Sequence, residues 1–473
     1  MITAFLVLGV VLRVLMLVWP TSYWGDEWAS IEFSKGTMWQ TIAANAYDTH
    51  PPLYFMLLNI AYQFLDIGRW VLRVPSLVLG IGTLFAAHLL GRELLDRRTH
   101  RIFIWFAAIA PSLVTYSHMV RNHGSMAFYC ALAAWCVLRM DKEPERKAWR
   151  ALFIASALGA VYTQHMAWIW LGALFVYRPR RVYGWVVLGA LPMLWLVAVN
   201  LLHYDRHYDW VLFQEMDPLR YLYKTVLVHF RYVIGQQRFH AFVDPPALFL
   251  FLTNLAEANY KKMIFVLWAG LSIGGLCLLV RRIGWRRPAI FCVPSLLVFV
   301  IGSGHNMYFE SRYFSFLAVP TLMLLAYGIT SLFRRPVLQL ALVLIFSFIM
   351  LPKTLLLVDT HASIRFDEDH WRSLERVHSQ SQPGDIIANV DDEQYAFNRR
   401  WLPEPEGVRW IEDAMAAPIS EMLSAPRVWV LGTDTLGPRL EAAGLKKVRP
   451  YHLRREYVAL YFNPQAARTA EET

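Results

Sequence analysis

Apolar positions form long unbroken runs through the first three quarters of the chain and short runs thereafter. Runs of bilayer-crossing length, allowing for tilt, lie near residues 2–19, 70–90, 102–118, 124–138, 151–177, 183–202, 263–280, 289–303, 313–332 and 337–352. The run at 151–177 is too long for one span and carries Gln164 and His165 at its middle. It reads as a tight hairpin of two short spans, which brings the total to about eleven. Beyond residue 352 the pattern changes. Trp371, Leu374 and Val377 recur at helical spacing, 385–390 and 427–431 read as short buried strands, 436–445 as a helix between strands, and 457–462 as a last strand. The expected architecture is a polytopic α-helical membrane domain over 1–352 and a small soluble α/β domain over 353–473.

Charge follows the same boundary. Residues 1–352 hold 31 Lys and Arg against 17 Asp and Glu, while residues 353–473 hold 15 against 19. The formal charge of +10 on 473 residues therefore belongs to the apolar part alone, and no soluble basic face of the kind that binds nucleic acid is present. Eighteen of the cations sit in compact clusters between spans: Arg92/Arg97/Arg98/Arg101, Arg139/Lys142/Arg146/Lys147/Arg150, Arg178/Arg180/Arg181, Arg281/Arg282/Arg286/Arg287 and Arg334/Arg335. Each cluster is reached after an even number of crossings, so the positive-inside rule places all of them in the cytoplasm. The C-terminal domain and 12 of the 17 membrane-part acids then lie on the outer side.

No small-residue cleavage site follows the first span, so it reads as an uncleaved anchor. Arg13 within it calls for a partner in the bundle or for snorkelling. All four cysteines fall in spans, which leaves the outer segments without disulfides. The absence of Asn-x-Ser/Thr sequons favours a bacterial inner membrane.

Two long outer loops carry the remaining chemistry. In 203–262, Arg220, Lys224 and Arg231 share one face of a helix that would lie in the interface with its cations toward head groups, and Asp244-Pro245-Pro246 opens another interfacial helix. The loop at 20–69 holds Asp26-Glu27 directly after the first span and Asp48-Thr49-His50-Pro51-Pro52-Leu53-Tyr54 later. Two adjacent carboxylates at a membrane surface raise each other's pKa, a cost that suits a cation, a metal or a proton to be moved. Alternatively, Asp26 simply caps a short helix through Trp28, Ile31 and Phe33, with Glu27 in its first turn. The balance shifts because other polar groups share this side: His118, Arg121 and His123 at the outer end of the third span, Gln164-His165 at the hairpin tip, and Glu310, Arg312 and Tyr313 before the tenth.

These residues resemble those of the polyprenyl-phosphate-sugar-dependent membrane glycosyltransferases of the C superfamily, which includes protein O-mannosyltransferases, lipid A aminoarabinose transferases and lipopolysaccharide-core transferases. The resemblance rests on Asp26-Glu27, Asp48-x-His50-Pro51-Pro52-Leu53-Tyr54, Arg73-Val74-Pro75-Ser76, Tyr116-Ser117-x-x-x-Arg121, Tyr162-Thr163-Gln164-His165, Arg312-Tyr313 before Pro320, and Trp371-Arg372 leading to Pro383-Gly384-Asp385. Two motifs depart from the family pattern. His118-Met119-Val120-Arg121-Asn122-His123 lacks the usual acid and tyrosine, and the hairpin-tip histidine is shifted to His165.

The resemblance implies an inverting transfer from a polyprenyl-phosphate sugar to a hydroxyl of a cell-envelope glycan, lipid or protein on the outer face. Asp26 would be the base, with Glu27, Asp48 and His50 completing the catalytic group. Arg121, Arg312, Arg73 and His123 would bind the donor phosphate, and Tyr54, His165 and Tyr313 the substrate. A phosphate leaving group is already activated, which agrees with the lack of a Gly-rich nucleotide loop. No cofactor is required, although Asp26, Glu27, Asp48 and His50 are chemically able to hold a divalent metal. The alternative from another class is a secondary transporter, but transporters place ionisable residues at the bilayer midplane rather than at its outer edge.

Overall fold

Prolines, glycines and buried polar side chains decide where the long apolar runs bend in space. The computed structural model describes residues 1–18, 23, 25–45, 50–177, 180–202, 233, 261–285, 315–359, 370–390, 399, 405–432, 435–453 and 456–464. The two expected interfacial helices of 203–262, the span at 289–303, Asp48, Glu310, Arg312, Tyr313 and the acidic run 391–393 lie outside the described residues. The chain divides into one unit of Met1–Trp19 and Ala29–His361 and another of Pro20–Trp28 and Ala362–Thr473.

The first unit is helical. It contains α1 (Ile2–Val18), α2 (Gly25–Glu32, shared with the second unit), α3 (Met38–Asn45), α4 (Leu53–Tyr62), α5 (Val74–Leu94), α6 (Arg97–Ile109), α7 (Pro111–Thr115), α8 (His123–Lys142), α9 (Lys147–Val161), α10 (Ala167–Tyr177), α11 (Val182–Leu202), α12 (Lys261–Ile283), α13 (Ser315–Leu332) and α14 (Pro336–Asp359). Among the described residues, Arg69–Leu94, Met263–Arg282 and Ser315–Leu332 are long and apolar enough to cross a membrane, and shorter apolar helices accompany them. Val78, Trp185, Val187, Leu188, Val266, Ile273, Leu340 and Leu344 are exposed on these helices, a surface that lipid solvates and water does not. The chain is a polytopic α-helical membrane protein with a further α/β region.

The run at 151–177 breaks as expected, with α9 and α10 flanking a turn at 162–166. The run at 102–118 does not form one helix. Pro111 has no N–H to give the Ala107 carbonyl and forces Ala110 into an extended conformation (φ −64°, ψ 119°). Arg13, fully buried, repairs the break. Its Nη2 donates to Ala107 O (3.2 Å) and its Nη1 to Ala108 O (3.3 Å) and Gly9 O (2.8 Å), while Thr354 Oγ1 donates to Ile109 O at 2.7 Å. The unusual cation of the first span is thus matched by carbonyl dipoles at a helix C-terminus, the end that favours positive charge. Arg13→Met orphans buried carbonyls at a cost of about 1–3 kcal/mol each, so it should lower the thermal midpoint of the detergent-solubilised protein, with Arg13→Lys falling between.

Close helix crossings depend on glycine. A Cβ on Gly275 of α12 would lie 2.8 Å from the Gly328 nitrogen of α13, so these helices meet backbone to backbone. Polar contacts sort the turns onto two ends. At one end Glu93 meets Arg139 (3.3 Å) and Lys142 (2.5 Å), Asp141 meets Arg180 and the Tyr177 hydroxyl, and Thr99 meets Thr330 (2.8 Å). At the other, Leu53 N donates to Tyr162 O (2.9 Å), Asn122 Nδ2 to Thr163 O (2.8 Å) and Arg73 Nη1 to His118 O (3.3 Å). The first group joins turns that the charge pattern assigns to the basic side, and the second joins turns assigned to the other.

The α/β region of the second unit has β1 (Ile386–Asn389), β2 (Arg409–Ile411), β3 (Arg427–Gly432), β4 (Lys446–Leu453) and β5 (Glu456–Phe462) in the order β2-β1-β3-β5-β4. The first three are mutually parallel and β5 runs antiparallel to both neighbours. Alternate residues serve two cores: Ile386, Ala388, Val428 and Val430 with Met422, Leu436 and Leu440 on one face, and Ile387, Trp429 and Leu431 with Leu374 and Val377 of α15 (His370–Gln380) on the other.

The Pro383-Gly384-Asp385 turn has a structural explanation. Gly384 adopts φ +91° and donates to Gly407 O (2.8 Å), and buried Asp385 accepts from Arg427 Nε (2.8 Å) and Nη2 (2.6 Å), Trp429 Nε1 (3.1 Å) and Gln382 N (2.9 Å). Asp385→Ala leaves these donors without their acceptor and should destabilise this region by about 3 kcal/mol, read by chemical denaturation of the full chain.

Candidate active site

The site is organised around residues 116–122, the non-helical stretch that joins α7 to α8. This loop is fastened to the first turns of α5 at three successive positions. A Cβ on Gly80 would come within 2.7 Å of Ser117 Cα, so only glycine lets the loop lie this close. Arg73 Nη1 holds the His118 carbonyl, and Ser76 Oγ donates to Met119 O at 2.5 Å. Because the single hydroxyl proton of Ser76 is spent on that carbonyl, Tyr54 Oη donates to Ser76 Oγ across 2.7 Å. Tyr54, expected to bind substrate, is fully buried and touches the loop through Ser76.

Held in this way, the loop presents Arg121 and leads into His123 at the start of α8. Arg121 is 7% exposed and its Nη1 donates to Ser30 Oγ at 3.0 Å. His123 is fully buried, with the rings of Tyr116 and His50 at 5.3 and 6.3 Å between centroids. His118 Nδ1 lies 3.3 Å from Val114 O, which places its proton on that nitrogen. The hairpin tip joins the same cluster: Thr163 O accepts from Asn122, Tyr162 O accepts from Leu53 N, and partly buried His165 sits two residues after Thr163. Arg73, Arg121, His50, His123 and Tyr54 are thereby brought together.

Asp26 and Glu27 occupy the first turn of α2, where the helix dipole favours acids. The helix starts at Gly25, so Asp26 lies inside its first turn and not at the capping position. Glu27 is buried and Asp26 half-buried. Ser30, which receives Arg121, is four residues on from Asp26 and shares its helical face. Ser30 and Ser76 carried no expected role. Spacing along α2 points to Ser30, whereas Ser76 is recognisable only once the loop is folded against α5. Among the described residues no group of three or more His, Cys, Asp and Glu is placed to hold a metal.

At the opposite end of the bundle Asp96 caps α6. Burial would raise its pKa, but hydrogen bonds from the Thr99 hydroxyl, Thr99 N and Arg98 N together with the Arg282 charge hold it below the usual carboxylate value.

Residues 49–203 match the dolichyl-phosphate-mannose-protein mannosyltransferase family. No curated protein sequence matches the chain. The crystal structure of ArnT from Cupriavidus metallidurans in the apo state is similar over 98% of this chain and 98% of that one, at 14% identity and a TM-score of 0.55. The same protein bound to undecaprenyl phosphate gives 0.56 at 14% identity, covering 97% of each. The Archaeoglobus fulgidus oligosaccharyltransferase tethered with an acceptor peptide gives 0.50 at 12% identity, over 92% of this chain and 69% of that one. At these identities the structural likeness is one of fold. The chain therefore has the fold of the ArnT structures over nearly its whole length, and through residues 49–203 it matches the dolichyl-phosphate-mannose-protein mannosyltransferase family.

Proposed function

We propose that the protein is an inverting glycosyltransferase that moves a sugar from a polyprenyl-phosphate donor to a hydroxyl of a cell-envelope glycan, lipid or protein at the outer face of a bacterial inner membrane. The observation that carries this reading is the gathering of two buried arginines, Arg73 and Arg121, with His50 and His123 around one fastened loop. Guanidinium groups fixed in this way suit a phosphate, which they bind bidentately. The undecaprenyl phosphate in the ArnT structure is a ligand of the same class.

In this reading the acceptor oxygen attacks the anomeric carbon, its proton passes to the Asp26 carboxylate, and the bond from that carbon to the phosphate oxygen breaks. The bonding pair departs with polyprenyl phosphate, whose charge Arg121, Arg73, His123 and Arg312 stabilise. Glu27, Asp48 and His50 position base and acceptor, and His165, Tyr54 and Tyr313 shape the sugar pocket. The membrane domain spans about eleven times, its basic turns face the cytoplasm, and the α/β domain of 353–473 lies outside. Arginine supplies the positive charge at the leaving group, so no metal is required, and activity should persist unchanged in excess EDTA. Loss of activity restored by Mg²⁺ or Mn²⁺ would contradict this.

Mass spectrometry of envelope glycans, lipids and proteins from cells with and without the gene tests the function. One sugar should disappear from one acceptor, and unchanged envelopes under conditions of expression would count against it.

A further inference from the structure

The basic end of the bundle carries two clusters that differ in how their charge is met. Around α8 and α9 carboxylates meet four of the cations: Glu93 pairs with Arg139 and Lys142, Glu143 with Arg139 and Arg146, and Asp141 with Arg180. The other cluster is assembled from three turns. Arg92, Arg97 and Arg98 come from the α5–α6 turn, Arg281 and Arg282 from the end of α12, and Arg334 and Arg335 from the α13–α14 turn. All seven are exposed, and among the described residues none pairs with a carboxylate. Among the described residues of the same turn, Glu93 is taken up by Arg139 and Lys142, and Asp96 feels the charge of Arg282 but has its oxygens engaged by Arg98 N, Thr99 N and the Thr99 hydroxyl.

Packing draws these turns together. Thr99 of α6 bonds Thr330 of α13 at 2.8 Å, and Gln339 Nε2 of α14 donates to Thr330 O at 3.1 Å. The glycine crossing at Gly275 and Gly328 presses α12 onto α13, and the arginines follow within about two helical turns. Exposed apolar side chains border the cluster: Trp285, Leu332, Val337 and Leu338. Concentrated positive charge directly beside exposed apolar surface, at the end of membrane helices, fits an amphiphile whose head is anionic. A soluble polyanion would use the first half of this surface only.

We infer that this three-turn arginine cluster is a binding site for the phosphodiester head of an anionic phospholipid, and that seven guanidinium groups spread over three turns suit a head with two phosphates, a diphosphatidylglycerol. Guanidinium binds phosphate oxygens bidentately, and each cation near an anionic membrane surface contributes measurably to the attraction. The site lies at the opposite end of the bundle from Arg73 and Arg121 and does not depend on the proposed transfer reaction.

The test is native mass spectrometry of the full chain in zwitterionic detergent, titrated with diphosphatidylglycerol, phosphatidylglycerol or phosphatidylcholine. The wild type should retain diphosphatidylglycerol in preference to both others. Arg97→Gln/Arg98→Gln/Arg281→Gln/Arg282→Gln should weaken that retention by about fivefold per arginine, and so by more than about a hundredfold together. Arg334→Gln/Arg335→Gln, which leaves the other turns intact, should weaken it by about twenty- to thirtyfold, while Arg146→Gln in the carboxylate-paired cluster should leave it unchanged. Equal retention by the wild type and both arginine variants would overturn the site. Equal affinity for phosphatidylglycerol would overturn the two-phosphate assignment, and displacement of the lipid by millimolar pyrophosphate would assign the cluster to a soluble anion instead.

Discussion

Asp26→Asn should lower kcat for sugar transfer by about 10²–10⁴-fold, the range expected for removal of a general base, with little change in donor KM. The asparagine keeps size and hydrogen-bonding capacity in the first turn of α2 but cannot take the acceptor proton. If the acid only stabilised the start of this eight-residue helix, the variant would lose about 0.3–1 kcal/mol of stability and retain its turnover. Steady-state kinetics together with thermal unfolding of the same preparation separates these outcomes. Glu27→Gln provides the comparison: a group that positions the base or the acceptor should produce a smaller fall in kcat.

Arg121→Gln should cost about 10²–10³-fold in kcat, the scale seen when one preorganised donor to a developing oxyanion is removed. Arg121→Lys should recover part of that loss, because a point charge remains but the planar fork does not. The fall should shrink when the donor carries a more acidic leaving group, since less help is then needed as the phosphate departs. Ser30→Ala provides the control for positioning. It removes the partner of Arg121 Nη1 at 3.0 Å without removing the charge, so its effect should be smaller and should fall on kcat rather than on stability. Equal effects of Arg121→Gln on a reactive and an unreactive donor would place this arginine away from the leaving group.

The membrane pattern was readable from the sequence because lipid imposes one rule on every residue of a span. Span parity and the position of each arginine cluster assigned turns to sides, and contacts such as Glu93 with Arg139 and Leu53 with Tyr162 join turns assigned to the same side. The break at Pro111 was hidden within an apolar run, because Arg13 and Thr354 restore its lost hydrogen bonds from helices far away in sequence. In the α/β region, β1, β3 and β5 were recognisable as apolar strand patterns. Edge strands β2 and β4 were not, since Arg409-Trp410-Ile411 is short and Lys446-Lys447-Val448-Arg449-Pro450 carries the charge and proline that keep an edge from pairing further.

At the site, sequence pointed to Arg73, Arg121, His50 and His123, residues whose chemistry is evident in isolation. It gave no role to Ser76 or Ser30, which act by fastening a loop or receiving an arginine and become recognisable only when distant segments are superposed in space.

The identity of the donor and the bond that breaks can be read in one assay. Purified full-length protein, incubated with a radiolabelled polyprenyl-phosphate sugar and an extract of envelope acceptors, should release polyprenyl phosphate in step with label appearing on the acceptor, with the anomeric configuration inverted. A donor that stays intact while acceptor is present, or label that crosses a sealed vesicle as free sugar, would contradict it.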